Sequence, residues 1–226
     1  RLKLLLGNNK IWGDDSECKT ILYVDPGHAF GLKKRTHPFY AKDFDIVDQY
    51  SFAKTDLSGY RCISIPGFID QEYMQTQRDK ILEFLHDGKI LIFCGHLFRD
   101  WIPGASMFIP KKINSFQDYA VHIQKNHMIF KGVKEDDMTY NKGVAGFFAR
   151  GFYQPPKQAE ILLTLGENEV VTYIDQNTTN GIILLHAGND LFSYMQANKT
   201  TDRISTQTFA WVQAAYDQRQ KERVSN

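Results

Sequence analysis

The stretch Lys89-Ile-Leu-Ile-Phe-Cys-Gly-His-Leu-Phe-Arg-Asp-Trp101 constrains the fold more than any other part of the chain. Ile90 to Phe93 are four consecutive apolar residues that leave no polar face for solvent. That is the pattern of a central strand in a parallel sheet covered on both sides. In such sheets, ligands and chemistry collect beyond the carboxyl ends of the central strands. The thiol of Cys94 and the imidazole of His96 fall at that point.

The rest of the first half supplies neighbours for this strand. Thr20-Ile-Leu-Tyr-Val-Asp25 reads as a strand ending in Asp-Pro-Gly-His28, and Phe44 to Val47 as a short second strand, with a helix hidden in Lys33 to Lys42. Tyr60-Arg-Cys-Ile-Ser-Ile-Pro66 is a third strand. Asp70 then N-caps a helix running to about Asp87, stopped by Gly88. In the second half, Asp118 to Ile123 alternates like a half-exposed strand, and His127 to Val133 reads as a turn with apolar anchors. Ala159 to Leu165 and Val170 to Ile174 flank Gly166-Glu-Asn-Glu169 as a hairpin. Gly181 to Leu185 is a last buried strand, and Thr206 to about Arg219 a closing amphipathic helix. Strands alternating with helices predict an α/β fold, flavodoxin-like and doubly wound, with a mainly parallel sheet, helices on both faces and an added β-hairpin. Residues 1–19 read as an N-terminal arm or edge strand, and 20–220 as a single domain.

Composition narrows the function classes. A formal net charge of +1 over 226 residues gives no reason to expect nucleic acid or an anionic membrane as partner. No apolar run approaches the roughly 20 residues that span a bilayer. Three unclustered cysteines, Cys18, Cys62 and Cys94, favour a reducing, cytoplasmic setting over a disulfide framework. No phosphate-binding glycine loop or nucleotide signature is present, and no cofactor is expected. The expected partner is a small-molecule ligand or substrate. The aromatic-rich stretch Phe147 to Tyr153 suits a ligand pocket or an interface between copies equally, which leaves a homo-oligomer open.

The candidate site residues follow from the strand ends. Cys94 at a strand-to-turn junction would be a nucleophile if a helix N-terminus or an imidazole lowered its pKa; otherwise it is a buried, inert thiol. His186, at the end of the last strand, is the candidate base, with His96 a rival. Asp190 would orient that imidazole or cap a helix starting at Leu191. Backbone N–H groups of Gly95 and His96 are candidate oxyanion donors. Asp25 and His28, with His37 and Asp175, would suit a divalent metal, but no pair has the tight spacing of a metal motif, and no metal is assigned. Arg150, Arg99 and the Lys33-Lys34-Arg35 run would meet an anion, or form an ordinary solvated face.

The order of elements, with a Cys-Gly-His turn after one strand and His186 after a late one, resembles the class I glutamine amidotransferase-like superfamily. That resemblance implies a Cys-His-Glu triad, with His186 matching the family histidine. Three departures stand against it: Ala187 and Gly188 replace the family's Pro and Glu, and Cys94 lies one residue nearer the glycine, so that Phe93 takes the nucleophile's place. The segment His127-Met-Ile-Phe-Lys-Gly132 is similar to the His-Pro-Ile-x-x-Gly segment of the ThuA-like branch, whose members lack the cysteine triad. The resemblance covers about Thr20 to Trp211. It leaves three expectations: Cys-His hydrolysis of an amide or ester of a small polar molecule, a non-catalytic binding or assembly module with a degenerate site, or a metal-dependent hydrolase. The expected pocket lies at the carboxyl ends of the Thr20, Tyr60 and Lys89 strands, walled by the His127 to Tyr153 region and His186.

Overall fold

The structure, a computed structural model, describes residues 20–28 and 36–225. The expected arm over residues 1–19 lies outside them. In chain order the strands are β1 (Ile21–Asp25), β2 (Phe44–Asp48), β3 (Cys62–Pro66), β4 (Ile90–Cys94), β5 (Ile109–Pro110), β6 (Val121–Ile123), β7 (Tyr140–Asn141), β8 (Val144–Ala145), β9 (Gly151–Phe152), β10 (Glu160–Leu165), β11 (Glu169–Asp175) and β12 (Ile182–His186). Eight of these form one sheet in the order β2-β1-β3-β4-β12-β11-β10-β6. Pairings from β2 through β12 are parallel; β12–β11, β11–β10 and β10–β6 are antiparallel. The β10–β11 pairing is the expected hairpin, which turns at Gly166 with φ +63°.

Helices cover both faces, as the apolar runs require. The helices are α1 (Pro38–Asp43), α2 (Gln71–Thr76), α3 (Arg78–His86), α4 (Glu135–Thr139) and α5 (Arg203–Ser225). Strand side chains alternate between faces, so each strand feeds two cores. On one face Tyr23, Ile90, Ile92, Cys94 and Leu184 pack beneath α1 and α5, through Tyr40, Ile204, Trp211 and Val212. On the other Leu22, Ile63, Ile65, Leu91 and Phe93 pack beneath α2 and α3, through Met74, Ile81, Phe84 and Leu85. β1, β3, β4 and β12 are buried along their whole length.

Several expected elements differ in extent, among them the closing helix, which runs Arg203–Ser225 where Thr206 to about Arg219 is expected. The helix from Asp70 to Asp87 is two helices joined at Gln77. Asp70 caps the first through the Tyr73 N–H (3.0 Å), but the apolar face belongs to α3, since α2 buries only Met74. The strand expected from Asp118 starts at Val121. Ahead of it Asp118 accepts the N–H groups of Asn114 (2.7 Å) and Ser115 (2.8 Å), a local capping pattern that bends the chain into a 3-10 turn at Phe116–Tyr119. The helix hidden in Lys33 to Lys42 is α1, which begins at Pro38; residues 29–35 lie outside the described part.

Candidate functional site

A cavity of about 610 Å³ opens at the carboxyl edge of the parallel strands. Asp25, Pro26 and His28 enter it after β1, Pro66 to Ile69 after β3, Gly95, His96 and Phe98 after β4, and Gly188 to Asp190 after β12. The sheet order reverses between β1 and β3, the place where open α/β sheets leave a crevice. Gly67 and Gly95 set part of the floor. Gly95 has φ +153°, and a Cβ there would stand 2.8 Å from the Gly67 Cα. The two backbones therefore touch in a way that only glycine at 95 permits.

The turn after β4 is braced on every side. Gly95 N–H donates to the His186 carbonyl (2.9 Å), so this expected oxyanion donor is engaged in joining β4 to β12. The Tyr153 hydroxyl donates to the Gly95 carbonyl (2.6 Å) and accepts from Leu97 N–H (3.1 Å). Gln71 donates from Nε2 to the His96 carbonyl (2.6 Å) and accepts Phe98 N–H at Oε1 (2.7 Å). Bend and turn through Pro103-Gly104 follow, so the segment after β4 brings no helix N-terminus to Cys94.

Cys94 and His186 are register partners on adjacent parallel strands, and their side chains point to the same face. Cys94 is 1% exposed and His186 fully buried, and neither lines the cavity. The imidazole Nδ1 lies 2.7 Å from Thr172 Oγ1, while Nε2 is buried with no hydrogen-bond partner among the described residues. Burial pushes the His186 pKa down to about 3, against a weaker upward pull from the Asp190 carboxylate. Asp190 is occupied elsewhere: it caps the turn at Leu191–Ser193 through Phe192 N–H (3.0 Å) and accepts the Tyr23 hydroxyl (2.8 Å). Burial and that carboxylate raise the Tyr23 pKa well above the ordinary phenol value, so the hydroxyl stays a donor.

The cover over this pair comes from the segment between β8 and β9. Ala149 bridges to Gly188, and the Phe148 ring meets His186 edge-on at 5.1 Å. A Cβ at Gly188 would overlap the Phe148 carbonyl oxygen and lie 2.6 Å from His186 Nε2. Of the expected His127–Tyr153 wall, Gly146 to Arg150 line the cavity; His127 instead lies in a separate groove beside α5.

The four metal candidates do not converge. Asp25 braces the Pro-Gly turn by accepting Gly27 N–H (2.9 Å), and His28 stands edge-on to Phe68 at 5.2 Å. His37 caps α1 through Phe39 N–H (3.2 Å), with Gln196 Nε2 3.2 Å from its other ring nitrogen. Asp175 ends an antiparallel strand, so it lies at the opposite edge of the sheet and accepts from Asn177 and Thr178 N–H groups. Among the described residues no group of three or more His, Cys, Asp or Glu could hold a metal ion.

His96 and Arg150 do line the cavity. The His96 ring stacks on Phe108 at 3.7 Å, and burial, then the Arg150 charge, lower its pKa. Arg150 donates from Nε to the Gly146 carbonyl (2.8 Å). Sequence reasoning does not single out Phe68, Phe98 or Thr172. An exposed phenylalanine directly after a strand-ending Pro-Gly is the available signal for Phe68.

No protein-family model matches the chain, and no curated protein matches it. Among solved structures, a protein assigned to GMP synthase as one of its subunits, from Thermoplasma acidophilum, aligns over 90% of this chain and 98% of its own, at 15% identity and a TM-score of 0.58. A cold-adapted β-galactosidase from Rahnella sp. R3 aligns over 86% of this chain and 31% of its own, at 12% identity and a TM-score of 0.52. A glutamine amidotransferase from Thermotoga maritima aligns over 92% of this chain and 86% of its own, at 13% identity and a TM-score of 0.47. Among the described residues no helix is long and apolar enough to cross a membrane. At these identities the likeness is one of architecture: the chain shares the mainly parallel α/β fold of the Thermoplasma acidophilum protein.

Proposed function

We propose that this protein is a binding module for a small polar molecule, built on an amidotransferase-like fold whose Cys-His site is degenerate. The observation that carries this reading is the sealed pair: Cys94 and His186 lie beneath the floor of the cavity, not in its wall. A general base works best with a pKa near the operating pH, and an imidazole held at about 3 does not take a proton from a thiol. Thr172, not a carboxylate, holds its Nδ1. These features agree with the ThuA-like branch that the His127 to Gly132 segment resembles. The cavity itself has the size and mixed apolar and polar wall of a small-molecule site.

Alkylation of Cys94 by iodoacetamide, followed by mass spectrometry from pH 6 to 9, tests the reading in wild type and His186→Ala. The expected result is a thiol protected in the folded wild-type protein throughout that range. A reaction with an apparent pKa well below the free value of about 8.5, lost in His186→Ala, would establish a working Cys-His pair and replace this reading with amide or ester hydrolysis.

A further inference from the structure

The cavity wall carries a cation, Arg150, that no carboxylate among the described residues pairs with. Arg99 is paired with Glu72 and Lys111 with Glu169. Arg150 has only its Nε hydrogen bond to Gly146, which orients the guanidinium plane; among the described residues no carboxylate pairs with it. Its charge still reaches the cavity, since it depresses the protonation of the neighbouring His96. The two carboxylates of the wall are already used by the chain, Asp25 on the Gly27 amide and Asp190 on Tyr23 and Phe192.

The mouth carries apolar surface that the fold does not need. Phe68 is 83% exposed, Phe98 57% and Phe147 48%, and all three line this one cavity. Phe68 is also held at φ +65°, a left-handed conformation that glycine accepts freely and phenylalanine does not. A strained, largely solvent-facing phenyl ring beside a cavity is a cost with little return in packing beyond its edge-on contact with His28, and such strain gathers where ligands are held.

We infer that the cavity binds a planar ring bearing an oxyanion, carboxylate or phosphate, with the oxyanion on Arg150 and the ring against the phenyl groups of the mouth. The inference rests on the cavity being the binding site, as proposed above. A guanidinium fork matches a carboxylate or phosphate with two parallel hydrogen bonds, and aromatic rings favour offset or edge-on contact with a second ring. His96, whose protonation burial and then the Arg150 charge disfavour, adds a polar ring to the wall.

The test is a titration of the isotope-labelled full chain with benzoate, phenyl phosphate, benzamide and cyclohexanecarboxylate, read as amide shifts at Gly95, Phe98 and Arg150. Benzoate or phenyl phosphate should bind more tightly than the other two, and the tighter of them assigns the oxyanion. Losing a charge-assisted hydrogen bond should cost the anionic ring in Arg150→Gln about tenfold or more in affinity. Benzamide binding should not change, and Lys125→Gln should leave all four as in wild type. Phe68→Ala should weaken benzoate more than cyclohexanecarboxylate, since both lose apolar contact and only benzoate loses a ring-ring contact. Benzamide equal to benzoate, or an Arg150→Gln effect under twofold, overturns the oxyanion while the cavity stands as a binding site. Cyclohexanecarboxylate equal to benzoate overturns the ring. No shift at these amides with any of the four overturns the cavity reading and this inference together.

Discussion

Gly188→Ala puts the sealing of the Cys94–His186 pair to a direct test. A methyl group at 188 would overlap the Phe148 carbonyl oxygen and stand 2.6 Å from His186 Nε2. A backbone oxygen cannot rotate away like a side chain, so the segment carrying Phe148 must shift. That segment is tied to position 188 by the Ala149–Gly188 bridge and by Asn189 N–H to the Phe148 carbonyl (3.4 Å). Forcing atoms into a packed site costs about 1–3 kcal/mol, and one backbone hydrogen bond adds about 1. A loss of about 2–4 kcal/mol is therefore expected, which for a chain of this size lowers Tm by roughly 5–15 °C. Urea denaturation gives the free energy, and iodoacetamide labelling of the folded protein gives access to Cys94. The substitution should speed that labelling as the cover lifts. A variant within about 0.5 kcal/mol of wild type, with Cys94 still protected, would refute the argument that Phe148 and Gly188 seal the pair. Gly188→Glu, which supplies the carboxylate of the family triad, should destabilise at least as much and yield no hydrolytic activity.

Acid should expose the buried His186. Its folded pKa of about 3 lies below the ordinary value of about 6.5, so the unfolded chain binds the extra proton first as pH falls. Its contribution is intact above pH 6.5 and is lost towards pH 3, by up to about 1.4 kcal/mol per unit. Urea midpoints at pH 7, 5.5 and 4.5 should fall more steeply in wild type than in His186→Gln; equal slopes would count against a neutral, buried imidazole. Phe68→Gly relieves a left-handed residue that costs about 1–2 kcal/mol, offset by glycine's greater unfolded freedom. Calorimetry should show a gain of about 0.5–1 kcal/mol, and a loss of stability would mean that the phenyl ring has a packing role. Tyr153→Phe strands the Gly95 carbonyl and the Leu97 N–H, both held by one buried hydroxyl. Thermal unfolding should report a loss of about 2–3 kcal/mol, and a change under about 0.5 would show that water replaces the hydroxyl.

The sheet was legible because its signal is local. Ile90 to Phe93 and Ile182 to Leu185 are apolar at every position, and a strand with no polar face has few places in a fold other than the middle of a covered sheet. Asp25, Gly95, His96 and Asp190, at or just past strand ends, and Arg150, ahead of β9, line the cavity. What the sequence does not show is direction and depth. Cys94 continues the alternation of Ile90 and Ile92, so its side chain points into the core beneath α1 and α5. Asp175 looks like a strand-end acid, but the antiparallel pairing of β11 sends it to the far edge. His37 is near His28 in sequence, and a local cap at α1 holds it instead.

Position 188 joins these two levels. By resemblance it is where a carboxylate would hold the histidine, and in this chain it is a glycine that lets the Phe148 backbone lie against the imidazole. The same contact removes water from His186, and removal of water is what lowers its pKa to about 3. Sealing and loss of basicity are thus one effect. Restoring the carboxylate would require moving Phe148, and moving Phe148 would displace Phe147 and Arg150, which line the cavity. The arrangement that closes the cysteine-histidine pair is the one that builds this wall of the cavity, so opening the pair would reshape the cavity.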